Sequence, residues 1–345
     1  MQPPAINKRV LLMAAASAAI VVVAVGGWSV ADATIRPKSP QPSKQVSSQA
    51  STQPTTPVAA HPSGSAAAPG GTAGTPAGSP VTSPLPINTF SDQPPRAGFH
   101  EFPANCVMTH RLNDDPIVFP GLPGASHNHT FVGNPITTAS TVPKDLLGGR
   151  TSCQDPKDAS SYWFPTLLQN GQPVSPQTVT VYYKSGVKDY RTVQPFPAGF
   201  RLVVGSAKAT SNAEFTGTWT CGGDEFTEIP PSCPDGSSLI VRLKAPSCWD
   251  NVHLDTTDHK SHMAYPVNGV CPSTHPVALP MLQLKVPYKL PGGNTSGLAF
   301  ASGPGYTFHY DFMNGWDQAR QAQVIAHCVN GGRQCNGDGI DKHRP

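Results

Sequence analysis

Charge is scarce in this sequence and does not concentrate. Only 13% of the residues are Asp, Glu, Lys or Arg. Residues 1–95 hold five Lys or Arg against two Asp or Glu, which leaves 19 of each sign for the rest. A neutral remainder gives no electrostatic argument for a nucleic-acid partner, which needs concentrated basic charge, so none is expected. Helical periodicity is nearly missing before residue 317, and no internal repeat is visible. There is no Gly-x-Ser-x-Gly elbow, no phosphate-binding loop and no His-Glu-x-x-His pair. Gly337–Asp341 is too short for an EF-hand calcium loop. No Cys-x-x-Cys occurs anywhere, which argues against a cysteine zinc site.

What is present divides the chain. Lys8 and Arg9 precede an apolar run from Val10 to Trp28, close to the ~20 residues that cross a bilayer as a helix. The positive flank lies on the N-terminal side, so the rest of the chain is expected to be exported. Ala31-Asp32-Ala33 resembles a small-x-small cleavage site. Residues 1–33 are therefore read as a signal peptide or an N-terminal transmembrane anchor. Residues 34–95 are rich in Pro, Ser, Thr and Ala, with almost no large apolar side chain, and are expected to form a disordered, extended linker. Residues 96–330 form the expected folded, extracytoplasmic domain, and 331–345 a polar C-terminal tail. The chain is expected to be membrane-anchored or secreted, and its oligomeric state is open.

Within the domain, short runs of β-branched and aromatic residues recur between turn signals. Residues 178–183, 200–204, 238–243 and 281–286 are examples, several of them alternating apolar and polar. The spacing predicts a mainly β fold: an antiparallel, sandwich-like, loop-rich domain. One helix is predicted from Asp317 to His327, with Asn314 as its cap and Gly331 at its end. In an exported protein, eight cysteines read as disulfides. Eight cysteines allow 105 pairings; the pairing proposed from proximity is Cys221 with Cys233, Cys248 with Cys271, and Cys328 with Cys335, which leaves Cys106 with Cys153.

Three stretches carry the candidate chemistry. In Ser126-His127-Asn128-His129, a strand would turn both imidazoles to one face, as metal-binding pairs in β folds require. In Asp255 to His262, residues three apart in a helical turn would converge. Asp258 is suited to orient a ligating histidine. In His309-Tyr310-Asp311, alternation puts His309 and Asp311 on one face. His127, His129, His259, His262 and His309 are the candidate ligands of a divalent metal, zinc or copper. Asp255 and Asp258 are the candidate bases, and Asp311 completes the catalytic set. Asp115, Trp163, Trp249 and His275 are the candidate substrate contacts. Each motif alone also fits a solvated turn or a packed side chain.

Two chemistries fit this set. One is a metal that activates water. The other is a carboxylate pair working on a glycosidic bond, with Asp255 and Asp258 better placed than adjacent Asp114 and Asp115. The expected function is hydrolysis of cell-wall or extracellular polysaccharide. A non-catalytic glycan-binding module and a purely structural polar network are the alternatives.

A family resemblance runs through the same motifs. It is carried by Asp114–Gly121, Ser126–His129, Gly133-Asn134, Ser161-Tyr162-Trp163, Cys248-Trp249-Asp250, Leu254-Asp255, Asp258–Tyr265, Cys271-Pro272, His275-Pro276-Val277 and His309–Phe312. Across roughly residues 99–330 the sequence resembles DUF1996, a secreted domain of unknown function in actinobacteria and fungi. Thr109 stands where the family usually has Ser, and Asn251 where Gly is usual. The resemblance implies an extracellular, cysteine-bearing domain, in a family whose members sometimes accompany carbohydrate-binding or wall-associated modules. It implies no particular reaction.

Overall fold

Alternation decides the architecture. In Ser238–Lys244 and Met281–Lys289 every second residue is buried, as expected of a sheet with one face on a core and one in water. The computed structural model of the protein describes residues 100–343. The expected anchor (1–33) and linker (34–95) lie outside the described residues. Among the described residues, no helix is long and apolar enough to cross a membrane.

Two antiparallel sheets form the body. The first has six strands in the order Glu101–Cys106, Val179–Lys184, Met281–Lys289, Ser238–Lys244, Thr218–Cys221, Asp224–Phe226. The second has five, in the order Met108–Leu112, His129–Gly133, Ser161–Pro165, His309–Met313, Arg201–Gly205. Val181, Tyr183, Leu243, Leu284 and Val286 of the first sheet share one core with Val132, Tyr162, Phe164, Leu202, Tyr310 and Phe312 of the second. This is the expected sandwich-like packing.

The five-stranded sheet is covered on its other face as well. Phe131, Trp163 and Met313 point outward there and pack with Ile117 and Leu146 from the connections that cross them. Ser161–Pro165 and His309–Met313 are therefore buried at all five positions. The polar residues on that face are enclosed with the apolar ones.

All four disulfides form with the expected partners: Cys106–Cys153, Cys221–Cys233, Cys248–Cys271 and Cys328–Cys335. The C-terminal helix covers Gln318–Val324 and continues as a π-helical turn, Ile325–Asn330. Its cap is Asp317, whose carboxylate accepts from the Arg320 amide at 2.9 Å. Asn314, the expected cap, is buried instead and donates to the carbonyls of Phe196 and Pro197. Residues 331–343, expected as a polar tail, lie against the body: Glu101 N–H donates to Arg333 O and Cys335 N–H to Glu101 O.

Candidate metal centre

Register brings the first two histidines together. His129 pairs with Pro165, and His309 pairs with Gly205 on the opposite side. Asp311 pairs with Trp163, which sets Pro165 beside His309 two residues along the ladder. His129 and His309 thus lie in one row, two strands apart, with Pro165 on the strand between. Gly205 lets the backbone of the His309 strand come close on that side. It has φ +84°, and a Cβ there would lie 2.7 Å from Phe308 O and 3.0 Å from the His309 Cα. Across the row, the two Nε2 atoms are 3.4 Å apart.

Backbone carbonyls fix both rings. His129 Nδ1 is 3.0 Å from Asp114 O, and His309 Nδ1 is 2.9 Å from Thr307 O. A carbonyl can only accept, so both Nδ1 atoms carry the hydrogen. A neutral ring has one N–H, so both Nε2 atoms present lone pairs, and they present them to each other. Burial keeps the rings neutral. It pushes His129 well below the ordinary histidine range, with the neighbouring His309 and His127 adding to the effect against the bond to Asp114 O. Burial also lowers His309 to about 3, against its bond to Thr307 O.

His127 comes third. It precedes the strand rather than lying on it, so period-2 alternation is not what aligns it. Its ring centroid is nonetheless 4.3 Å from that of His129 and 5.0 Å from that of His309. Its buried Nε2 has no hydrogen-bond partner. One ligand atom from each of the three rings falls within 4.8 Å of the others.

Two carboxylates adjoin the trio. Asp115, His129 and Asp311 form a second set within the same 4.8 Å limit. Asp311 is 0% exposed, and neither of its oxygens has a hydrogen-bond partner. Burial holds its carboxyl well above the usual range, and the negative charge of Asp115 adds to this, while Lys260 opposes it. Asp115 commits Oδ1 to the amides of Ile117 and Val118. Burial raises it too, against those two bonds, the charge of His259 and the Trp163 side chain. The indole nitrogen of Trp163 itself makes no hydrogen bond of ordinary geometry. Lys260 reaches over from the connection before Met263 and donates to Gly205 O.

The other sequence candidates sit around this centre, not in it. His262 is 0% exposed. Its ring is used on both sides, by Thr256 Oγ1 at 3.1 Å and by Arg201 O at 2.8 Å. His259 Nδ1 bonds Asp255 Oδ1 at 2.9 Å, and Asp255 Oδ2 meets Arg201 at 3.1 Å. Residues 257–262 form turns and bends and 255–256 are irregular, so the helical spacing expected there is not realised. Asp258 accepts from the amides of Ser261 and Lys260 and from the Thr256 and Ser261 hydroxyls. The Ser261 amide leads in holding its carboxyl below the usual range. A carboxylate so satisfied is a turn device and a poor proton acceptor. Asp255 and Asp258 line an open depression of about 590 Å³ with Arg201, His253, Thr256, Thr257 and Ser261. His275 is held by Ser261 O and Thr274 Oγ1, both at 2.9 Å.

Neither tryptophan offers a face to solvent. Trp163 is enclosed, and Trp249 lies in the core with its Nε1–H on His253 O at 2.7 Å. Asp114, set aside as half of a carboxylate pair, does three local jobs. Its oxygens accept from the amides of Gly124 and Ala139, and its carbonyl orients His129. No spacing rule exposes such a role, because it depends on a carbonyl rather than a side chain.

The trio suits zinc or copper, for which imidazole is a common ligand. The carboxylates suit the same ion or the protons around it. No curated protein and no solved structure matches the chain. A family model described as "Domain of unknown function (DUF1996)" matches residues 115–316, more than half of the chain, from Asp115 to beyond Asp311. By that match the chain belongs to the DUF1996 family.

Proposed function

We propose that His127, His129 and His309 hold a divalent transition metal, zinc or copper. On this reading the domain is an exported metallohydrolase of cell-wall or extracellular polysaccharide. One observation carries the metal: two imidazole lone pairs face each other at 3.4 Å with no hydrogen between them. Facing acceptors repel unless a cation joins them. Two nitrogens at ~2.0–2.1 Å from one tetrahedral zinc stand about 3.3 Å apart, close to the separation found.

A metal here supplies Lewis acidity toward water. The chain supplies the rest. Asp311, buried, without a partner and held toward its protonated form, is the group that holds or passes a proton beside that water. Asp114 and Thr307 carbonyls hold the ligand rings in one tautomer, which is the role of outer partners in metal sites. Lys260 sets a positive charge near Asp311. His127, the least enclosed of the three histidines, marks the side of access. Glycan as the substrate class is supported by the expected export and by the wall-associated modules that the family resemblance implies for some members.

A second reading, a metal with a structural role only, is favoured by the enclosure of His129 and His309, the latter 4% exposed.

The test is elemental analysis of the purified full chain beside His127→Ala and His129→Ala. Stoichiometric zinc or copper, lost in both variants, is expected. No metal after reconstitution would overturn the proposal. A loaded protein that releases no product from any wall glycan would keep the metal and remove the hydrolase.

A further inference from the structure

The outer face of the six-stranded sheet is open, and it carries an arrangement that folding alone disfavours. Arg242 and Lys285 are directly opposite each other on adjacent strands. The alternation of burial turns both to the solvent side. Like charges at such a cross-strand position repel and destabilise the sheet. The usual remedy is a carboxylate beside them. Among the described residues none forms an ion pair with Arg242, Lys285 or the exposed Lys244. Arg242 bonds only a neutral partner, Thr220 Oγ1, at 2.8 Å. Burial and the neighbouring Arg242 both push the Lys285 ammonium below its usual range.

The same face has a concavity. A pocket of about 320 Å³ is lined by Arg242 and Lys244, with Gln283, Thr218 and Glu225 among its walls. One strand further, Tyr182 is the cross-strand neighbour of Gln283. Cations separated by amide, hydroxyl and ring groups match a chain whose charges are separated by sugar hydroxyls. Glu225 stands in the same wall and repels any polyanion. What favours a sugar chain is the set of hydroxyl-bonding groups, Gln283, Thr218 and Tyr182, between and beside the cations. Lys184, by contrast, is neutralised by Glu101 at 2.6 Å, and Lys289, at the far end of the strand that carries Lys285, is taken up by the Gly236 carbonyl.

We infer that the open face of the six-stranded sheet, centred on Arg242 and Lys285, is a binding site for a carboxylate-bearing polysaccharide. The carboxylates seat between the guanidinium and the ammonium groups, and Gln283 and Thr218 bond the hydroxyls between them. The site lies on the opposite sheet from the histidines and does not require the metal. It anchors an acidic glycan whether or not the histidine centre cleaves one.

The full chain is titrated with polygalacturonate, neutral dextran, inorganic polyphosphate and single-stranded DNA, at low and at physiological salt. The expected result is binding of polygalacturonate that weakens with salt and no binding of dextran. Arg242→Gln with Lys285→Gln should lose at least tenfold in affinity with an unchanged or higher Tm, since a repulsion is removed. His129→Ala should bind as the parent does, which separates this site from the metal reading. Unchanged affinity in the double variant would overturn the inference. So would dextran bound as tightly, or polyphosphate or DNA bound in preference.

Discussion

On the outer face of the five-stranded sheet, His129, Trp163, His309 and Asp311 lie beneath covering segments and out of water. On the outer face of the six-stranded sheet, Tyr182, Arg242, Gln283 and Lys285 stand beside solvent. The two faces have the same antiparallel geometry and opposite surroundings. The difference is made by the long connections, 113–128, 134–160 and 250–262, which bring Ile117, Leu146 and Lys260 onto the first face. Enclosure makes unpaired lone pairs and carboxylates costly, so they imply a cation. Exposure makes unpaired cations cheap, so only their placement against each other is informative.

A covered face without a metal would undo this difference between the faces. Chelation of the loaded protein should cost about 4 kcal/mol for a metal held at a thousandfold over its Kd. That is a fall in Tm of roughly 10 °C for a domain of this size, read by calorimetry. The open-face double variant should show the same fall.

Asp311→Asn leaves a buried polar group without a partner, as the neutral carboxyl does, so in the chelated protein it should change stability by less than about 1 kcal/mol. In the loaded protein it should weaken metal retention, measured by competition with a chromogenic chelator.

Acid sharpens the contrast further. His309 has its folded value lowered to about 3 from 6.5, so between these limits the unfolded chain binds more protons. Stability of the chelated protein should therefore fall as pH drops below 6.5. The loss is about 2 kcal/mol at pH 5 from this residue alone, and it should be smaller in His309→Gln. Denaturant midpoints across pH 5–7 give the slope. The smallest effect belongs to the open face: Arg242→Gln with Lys285→Gln should gain about 0.2–1 kcal/mol.

The sheets and their faces were legible from the sequence because alternation is local. The runs at 178–183, 200–204, 238–243 and 281–286 all became strands within a residue or two, except that the last extends to Lys289. His309 and Asp311 share a face for the same reason. The position of His262 was not legible. Its local spacing with Asp258 and His259 looks like a cluster, but Arg201 O, 61 residues away, engages its ring. Asp115, read as a substrate contact, adjoins the trio because a long connection returns over the sheet, and no periodicity encodes that path. The Arg242–Lys285 opposition was equally hidden, since it depends on which strands pair and in what register.

The strand Arg201–Gly205 ends the five-stranded sheet, and its outward amides are not left bare. Arg201 N–H donates to Leu254 O and Val203 N–H to His259 O, each at 3.0 Å. An uncovered strand edge is a template for pairing with another copy and for aggregation. The segment that brings Lys260 to the centre is thus also the guard on that edge. Opening it to widen access to the histidines would expose an aggregation template, which couples the protein's solubility to the closure of its own centre.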